Sequence, residues 1–207
     1  MVTAQPSQRY REMMQLYARL HLEGDVSNNI PPERVFDGRN LTPHVEFLAA
    51  TCRRLKAKSL IDYGCGKAQS YAKAVARMAN GNELTGLLDI WDLDSIQLYD
   101  PALRAYAALP EEPADIVIST AVMEYTPEED VPWVLSELFQ FAKQLVFITL
   151  ATFPSRFMLP NGENYHVTQQ SPGWWIDQIV EAQRTNPTVR FVAALALSDE
   201  KNIRVEG

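Results

Sequence analysis

Three clusters of residues in this chain have types and spacing suited to chemistry. The first is Asp62-Tyr63-Gly64-Cys65-Gly66-Lys67. Two glycines one residue apart let a backbone turn tightly and pass close to a ligand. The pattern is D-x-G-x-G. It is not G-x-G-x-x-G, because position 69 is Gln, and it lacks the Gly-Lys-Ser/Thr ending of a phosphate-cradling loop. A carboxylate ahead of the glycines repels a pyrophosphate and suits a ligand that offers an ammonium or hydroxyl groups. A helix start behind the turn is expected to present free N–H groups. The second cluster is Asp100-Pro101. An acidic residue at a strand end accepts hydrogen bonds from ribose hydroxyls; a turn-initiating Asp before Pro is the structural alternative. The third is Asn164-Tyr165-His166, in a polar stretch. Imidazole titrates near neutrality and can take up a proton there, although a histidine in a loop also serves packing or capping.

These groups need elements to hold them. Tyr10, Met13, Met14, Tyr17 and Leu20 recur at helical spacing within 7–23, with Gly24 as the stop. Residues 24–40 read as loop. Thr42 looks like an N-cap with Pro43 at the first helical position, ahead of the stripe Val45, Leu48, Ala49, Cys52 and Leu55. Residues 59–63 form a short buried strand that ends at the glycines. Tyr71, Ala74, Val75 and Met78 mark a helix closed by Gly81, and 95–99 and 115–119 are two further strands. A helix carries Val131, Val134, Leu135, Leu138 and Phe141, with Asp130 as its N-cap because Pro132 excludes an earlier start. Residues 145–151 form an apolar strand and 152–173 a long polar loop, the kind that is usually functional or disordered. A helix over 174–183 and two strands, 189–197 and 202–205, around an Asp-Glu-Lys turn complete the chain. Alternating strands and helices predict an α/β fold, doubly wound and Rossmann-like. The sheet is mostly parallel, with an antiparallel edge hairpin at the C-terminus and an N-terminal helical extension. The chain reads as one domain, a helical cap over 1–58 and a core over 59–207. In open α/β sheets ligands bind beyond the carboxyl ends of the strands, so all three clusters gather around one crevice. The N-terminal helix needs an apolar surface and is expected to cover it.

Composition narrows the function classes. The 207 residues are 46% hydrophobic and 22% charged, ordinary for a globular chain. Acidic residues outnumber basic ones 26 to 19, for a net charge of −7. That balance disfavours polymeric nucleic acid as a partner. The basic group Arg53, Arg54, Lys56 and Lys58 falls at a helix C-terminus, where the macrodipole favours cations. Two cysteines make neither a disulfide scaffold nor a four-ligand zinc site, so no metal is expected. No signal peptide or membrane span is visible, and a cytoplasmic protein is expected.

The segment Leu60 to Gly66 resembles the first motif of class I S-adenosylmethionine-dependent methyltransferases. Asp115 to Tyr125 resembles their fourth-strand segment, with Tyr125 where a His often stands. A narrower similarity, to bacterial and phage methyltransferase-like proteins, rests on residues 62–67, 98–101 and 159–166 together with Trp174-Trp175. The resemblance implies S-adenosylmethionine as cofactor and a small-molecule, nucleotide or glycan-precursor acceptor. It implies that Asp62, Gly64 and Gly66 line the methionine and ribose side and that Asp100 holds the ribose hydroxyls. Tyr63, Cys65, Lys67, Pro101, Thr120 and Ala121 complete the cofactor contacts. His166 becomes the candidate base, Asn164 and Tyr165 orient the acceptor, and Arg156 binds an acceptor carboxylate or phosphate. Only residues 101–114 separate Asp100 from the next strand, short for the helix and strand that usually build the adenine pocket. Two functions therefore stand: methyl transfer to oxygen or nitrogen, and a non-catalytic module that binds S-adenosylmethionine or S-adenosylhomocysteine.

Overall fold

A computed structural model describes residues 6–77, 83–198 and 201–207. Its centre is a six-stranded sheet in the order β4-β1-β5-β6-β7-β8. The strands are β1 (Ser59–Tyr63), β4 (Ser95–Tyr99), β5 (Ala114–Thr120), β6 (Ala142–Ala151), β7 (Arg190–Ala196) and β8 (Asn202–Glu206). All neighbours are parallel except β7 and β8, whose antiparallel pairing closes one edge. This is the α/β, mostly parallel Rossmann-like sheet that the alternation of elements predicts.

Side-chain alternation divides the core between the two faces. Leu60, Ile116, Ile118, Leu145 and Phe147 pack on one side with α2 (Val45–Leu55) and α4 (Leu87–Trp91). Ile61, Val117, Val146, Ile148 and Ala193 pack on the other with α5 (Val131–Phe141) and α6 (Pro172–Gln183). The unbroken apolar run of β6 follows from burial on both faces. Phe147 meets the rings of His44 and Phe47 at 5.3 and 5.4 Å.

α1 (Gln8–Glu23) starts at Ser7, whose Oγ accepts from Tyr10 N at 3.0 Å. Ser7 N and Oγ both donate to the Asp130 carboxylate, at 2.8 and 2.7 Å. Asp130 does occupy the N-cap position of α5, but it caps no N–H of that helix; it ties the start of α1 to the start of α5. Gly24 ends α1 with φ +79 and returns its N–H to Leu20.

The structure corrects two sequence expectations. Thr42 is not an N-cap. Gly38, left-handed at φ +82, opens a 3-10 turn over Arg39–His44 with Pro43 inside it, and α2 begins only at Val45. The helix expected through Tyr71 and Met78 stops early: α3 covers Gln69–Lys73. The Ala74 carbonyl accepts from Gly86 N at 2.9 Å, and Val75–Arg77 becomes strand β2, paired antiparallel with β3 (Glu83–Thr85). Met78 and Gly81 lie outside the described residues, as do Asp199 and Glu200 of the expected final turn. Between Asp100 and β5 the chain makes a single 3-10 turn, Arg104–Tyr106, so β4 forms the sheet edge.

From β1 the chain runs to β4 on one side, then crosses to β5 on the other. The switch point therefore lies between the carboxyl ends of β1 and β5, the place where open α/β sheets bind ligands. The glycine turn there is shaped by the protein's own contacts. At Gly66, φ is +55, and a Cβ would stand 2.2 Å from the Phe36 carbonyl oxygen. At Gly64, φ is +89, and a Cβ would stand 2.3 Å from a Val122 methyl. Gly66→Ala is expected to cost more than about 2 kcal/mol in denaturant unfolding, through strain added to a backbone clash. Gly162→Ala, at φ +85 but in open space, is expected to cost about 1 kcal/mol. Equal losses in the two variants would show that Phe36 does not constrain the turn.

Candidate functional site

A cavity opens at this switch point, with about 820 Å³ of empty space counting its mouth. Its floor is the ends of β1, β4 and β5: Asp62 through Gly66, Asp100 through Ala102, and Thr120 through Val122. Its roof comes from the N-terminal segment. Tyr10, Met14, Tyr17 and His21 lie on one face of α1, and Phe36, Gly38 and Asn40 follow from the next loop. The helix therefore covers the crevice. Its other apolar residues, Met13, Leu16 and Leu20, pack with Val35, Leu159 and Tyr165.

The glycine turn offers a ligand few donors. Gly64 N and Cys65 N both donate to the Tyr99 carbonyl, at 2.7 and 3.1 Å. Gly66 N donates to Asp100 Oδ2 at 2.9 Å. Lys67 N donates to Phe36 O, Ala68 N to Cys65 O, and Gln69 N to Asp37 O. The expectation of free N–H groups here is thus corrected: strand, loop and cap have taken them. The turn is not a phosphate cradle.

Acceptors dominate instead. Asp62 Oδ2 accepts from Tyr71 Oη at 2.7 Å, while its Oδ1 is buried without a hydrogen-bond partner. Burial first, then the nearby Asp100, push the Asp62 carboxyl up to about 7. Asp100 Oδ1 accepts from Ala102 N at 2.9 Å. Its carboxyl is also raised by burial, against the pull of backbone N–H groups and Lys67. Ala121 holds φ +54 on the cavity wall, a left-handed conformation for a residue with a Cβ, and Thr149 O accepts its N–H at 2.8 Å. Such strain concentrates at functional sites.

Of the residues singled out by sequence, Asp62, Tyr63, Gly64, Cys65, Gly66, Asp100, Pro101, Thr120 and Ala121 all line the cavity. The Lys67 side chain turns away, under α1, to His21 and Val35. Asn164, Tyr165 and His166 are placed outside the cavity wall. Asn164 Oδ1 accepts from Ser155 N and His166 N, which makes it a loop organiser. Tyr165 Oη donates to buried Asp25. His166 Nδ1 donates to Phe153 O at 2.6 Å, and its ring packs edge-on against Tyr125 at 5.5 Å. Burial lowers its pKa despite that bond. Arg156 and the two tryptophans also lie outside the wall: Trp175 is in the core, with Trp174 packed edge-on against it at 4.9 Å. The sequence-based expectation that the N-terminal helix covers the crevice agrees with this roof. What it missed is His21, and Phe36, Gly38 and Asn40 of the next loop, as lining residues. The signal for His21 was its i+4 and i+11 spacing from Tyr17 and Tyr10, two residues of the stripe already assigned to that helix.

No family model matches the chain, and neither does any curated protein or solved structure. Among the described residues, no group of three or more His, Cys, Asp or Glu is placed to hold a metal ion, and no helix is long and apolar enough to cross a membrane.

Glu124 adjoins the wall residue Tyr125 and is fully buried. Its Oε1 accepts from Ala151 N at 3.0 Å, Oε2 has no partner, and burial pushes the carboxyl up to about 7. A carboxyl raised by folding keeps its proton where the unfolded chain has lost it. Its contribution is intact at low pH and is lost as pH rises from the ordinary value through about 7. Glu124→Gln keeps an oxygen for Ala151 N and removes the titration. Between pH 5 and pH 8, wild-type stability in denaturant unfolding is expected to fall about 2–3 kcal/mol further than that of the variant. Parallel pH dependences would show that Glu124 titrates normally.

Proposed function

We propose that the cavity binds S-adenosylmethionine and that the chain transfers its methyl group to an oxygen or nitrogen of a small-molecule, nucleotide or glycan-precursor acceptor. The observation that carries this reading is the unpartnered Oδ1 of Asp62 at the end of β1, beneath aromatic walls, in a site whose turn N–H groups are already engaged. A site of buried acceptors and aromatic faces suits a cationic, hydroxyl-bearing ligand. It does not suit a dinucleotide pyrophosphate. The motif resemblance of residues 60–66 and 115–125 points the same way.

The residues present fit this cofactor. Asp62 and Asp100 would accept from its ammonium and hydroxyl groups. Tyr10, Tyr17, Phe36 and Tyr125 supply aromatic faces along the wall. When bound, the cofactor supplies a methyl group on a sulfonium leaving group. The chain's own contribution is then chiefly to exclude water and to align the acceptor, an orientation effect. His166 does not reach the cavity wall, so the geometry favours an acceptor atom that already presents a free lone pair. The engagement of Asn164, Tyr165 and His166 in loop structure also supports the second reading, a non-catalytic module that binds S-adenosylmethionine or S-adenosylhomocysteine.

Calorimetry with S-adenosylmethionine, S-adenosylhomocysteine and NAD tests the cofactor, and a labelled-methyl acceptor screen separates the two readings. Micromolar binding of the first two and none of NAD is expected. A cation meets Asp62 best when its carboxylate is ionised. Affinity for S-adenosylmethionine is therefore expected to tighten about tenfold from pH 6 to pH 8, and the dependence to flatten in Asp62→Asn. Failure of a folded protein to bind either sulfur compound overturns the proposal.

A further inference from the structure

His21 enters the cavity from α1, and its proton is positioned by a neighbour. Lys67 Nζ lies 2.9 Å from His21 Nδ1, 3.2 Å from the His21 carbonyl and 3.0 Å from the Val35 carbonyl. An ammonium has three N–H bonds and no lone pair. Three acceptors use all three, so Nδ1 presents its lone pair to Lys67. Burial, then the Lys67 charge, lower the His21 pKa to about 4, so the ring is neutral at pH 7. A neutral imidazole carries one ring proton, which therefore sits on Nε2. Nε2 lies 4.0 Å from Asp100 Oδ1, beyond hydrogen-bond length. Both residues line the cavity. Asp100 gives one bond's worth of each oxygen to Gly66 N and Ala102 N, and each oxygen retains a further lone pair.

We infer that His21 Nε2–H and Asp100 Oδ1 form a donor–acceptor clamp for the ribose hydroxyls of the bound ligand, with Lys67 as the positioning residue that holds the imidazole tautomer. A hydroxyl oxygen placed about 2.8 Å from each of two atoms 4.0 Å apart accepts from one and donates to the other without strain. A carboxylate alone takes any donor. The added N–H demands a group that accepts as well as donates, which a hydroxyl does and an ammonium does not. The clamp rests on the cofactor reading above, and it identifies His21, a residue of the cap, as the specificity determinant.

The test is calorimetry of the full chain with S-adenosylhomocysteine and its 2′,3′-dideoxy analogue. His21→Phe keeps the ring packing against Phe36 and removes the N–H. It is expected to weaken S-adenosylhomocysteine about tenfold and to leave the dideoxy analogue unchanged. Lys67→Met keeps the imidazole and releases the tautomer but also loosens the cap, so both ligands are expected to weaken, S-adenosylhomocysteine by more, with an excess loss smaller than that of His21→Phe. Nitrogen-15 spectra of the wild-type chain provide a check that needs no variant: Nε2 is expected to carry the proton in free protein, and its resonance to move with S-adenosylhomocysteine more than with the dideoxy analogue. Equal losses for both ligands, no loss for either, or a proton on Nδ1 overturns the clamp and leaves the cofactor reading standing. Absence of S-adenosylhomocysteine binding to wild type overturns both.

Discussion

The cavity depends on the latch between the N-terminal segment and the glycine turn. Lys67 N donates to Phe36 O at 2.7 Å, and Lys67 Nζ reaches under α1 to three acceptors. Gly66 is required at the same point because no Cβ fits against the Phe36 carbonyl. One residue thus joins the end of β1 to the helix and loop that roof the site. Without this latch the ends of β1, β4 and β5 would form an open ledge. With it they form a cavity, and α1 has somewhere to bury an apolar face that isolated helix propensity would not sustain.

The latch also determines the site's electrical character. Together with the end of β4 it consumes the N–H groups that a strand-to-helix turn would otherwise direct at an anion: Tyr99 O takes those of Gly64 and Cys65, Asp100 that of Gly66, and Phe36 O that of Lys67. What faces the interior is chiefly carboxylate oxygen and aromatic carbon, with one histidine and the polar side chains of Asn40, Thr120 and Thr126. Asp62, buried beside Asp100, and Asp100, through its own burial, each hold a proton affinity above that of a surface carboxyl. Asp100 has a backbone partner on each oxygen, but Asp62 Oδ1 has none. Buried polar groups left unpaired cost stability, and here the cost falls on a residue facing a cavity, where a ligand can relieve it. Lys67 moderates the charge from behind the wall without entering the site, because its three protons are already engaged.

Other structural devices serve the same end. Asp130 fastens the start of α1 to α5 through Ser7. Tyr17 Oη donates to the Tyr125 carbonyl at 2.8 Å, joining α1 to the segment after β5. Tyr165, bonded to Asp25, and Asn164, bonded to Ser155, fold the long loop against the outer face of the cap. The loop after β6 is thus structural support for the roof. Its candidate catalytic residues work on the far side of Tyr125.

Much of this was legible in the chain itself. Strand β1 and β4 boundaries, the parallel core, the C-terminal hairpin and the gathering of Asp62, Gly64, Gly66 and Asp100 follow from short-range rules: alternation, glycine punctuation and strand-end placement. These depend on local spacing, which a sequence states directly. The α3–β2 break, the true start of α2 and the partners of the turn N–H groups do not. The first and the last were decided by groups distant in sequence: Gly86 capturing the Ala74 carbonyl, and Tyr99, Phe36 and Asp37 capturing the N–H groups of the turn. The start of α2 was set by the left-handed Gly38 and the 3-10 turn that follows it. The same holds for His21 and His166. By type either suits proton chemistry, and only tertiary structure places the first at the cavity, beside Lys67 and Asp100, and the second behind Tyr125. The sequence by itself determined which groups stand at the strand ends, because register along a strand is local. Only the tertiary structure decided which of them face the ligand space, because that depends on what the cap, folding back over the turn, had already bonded.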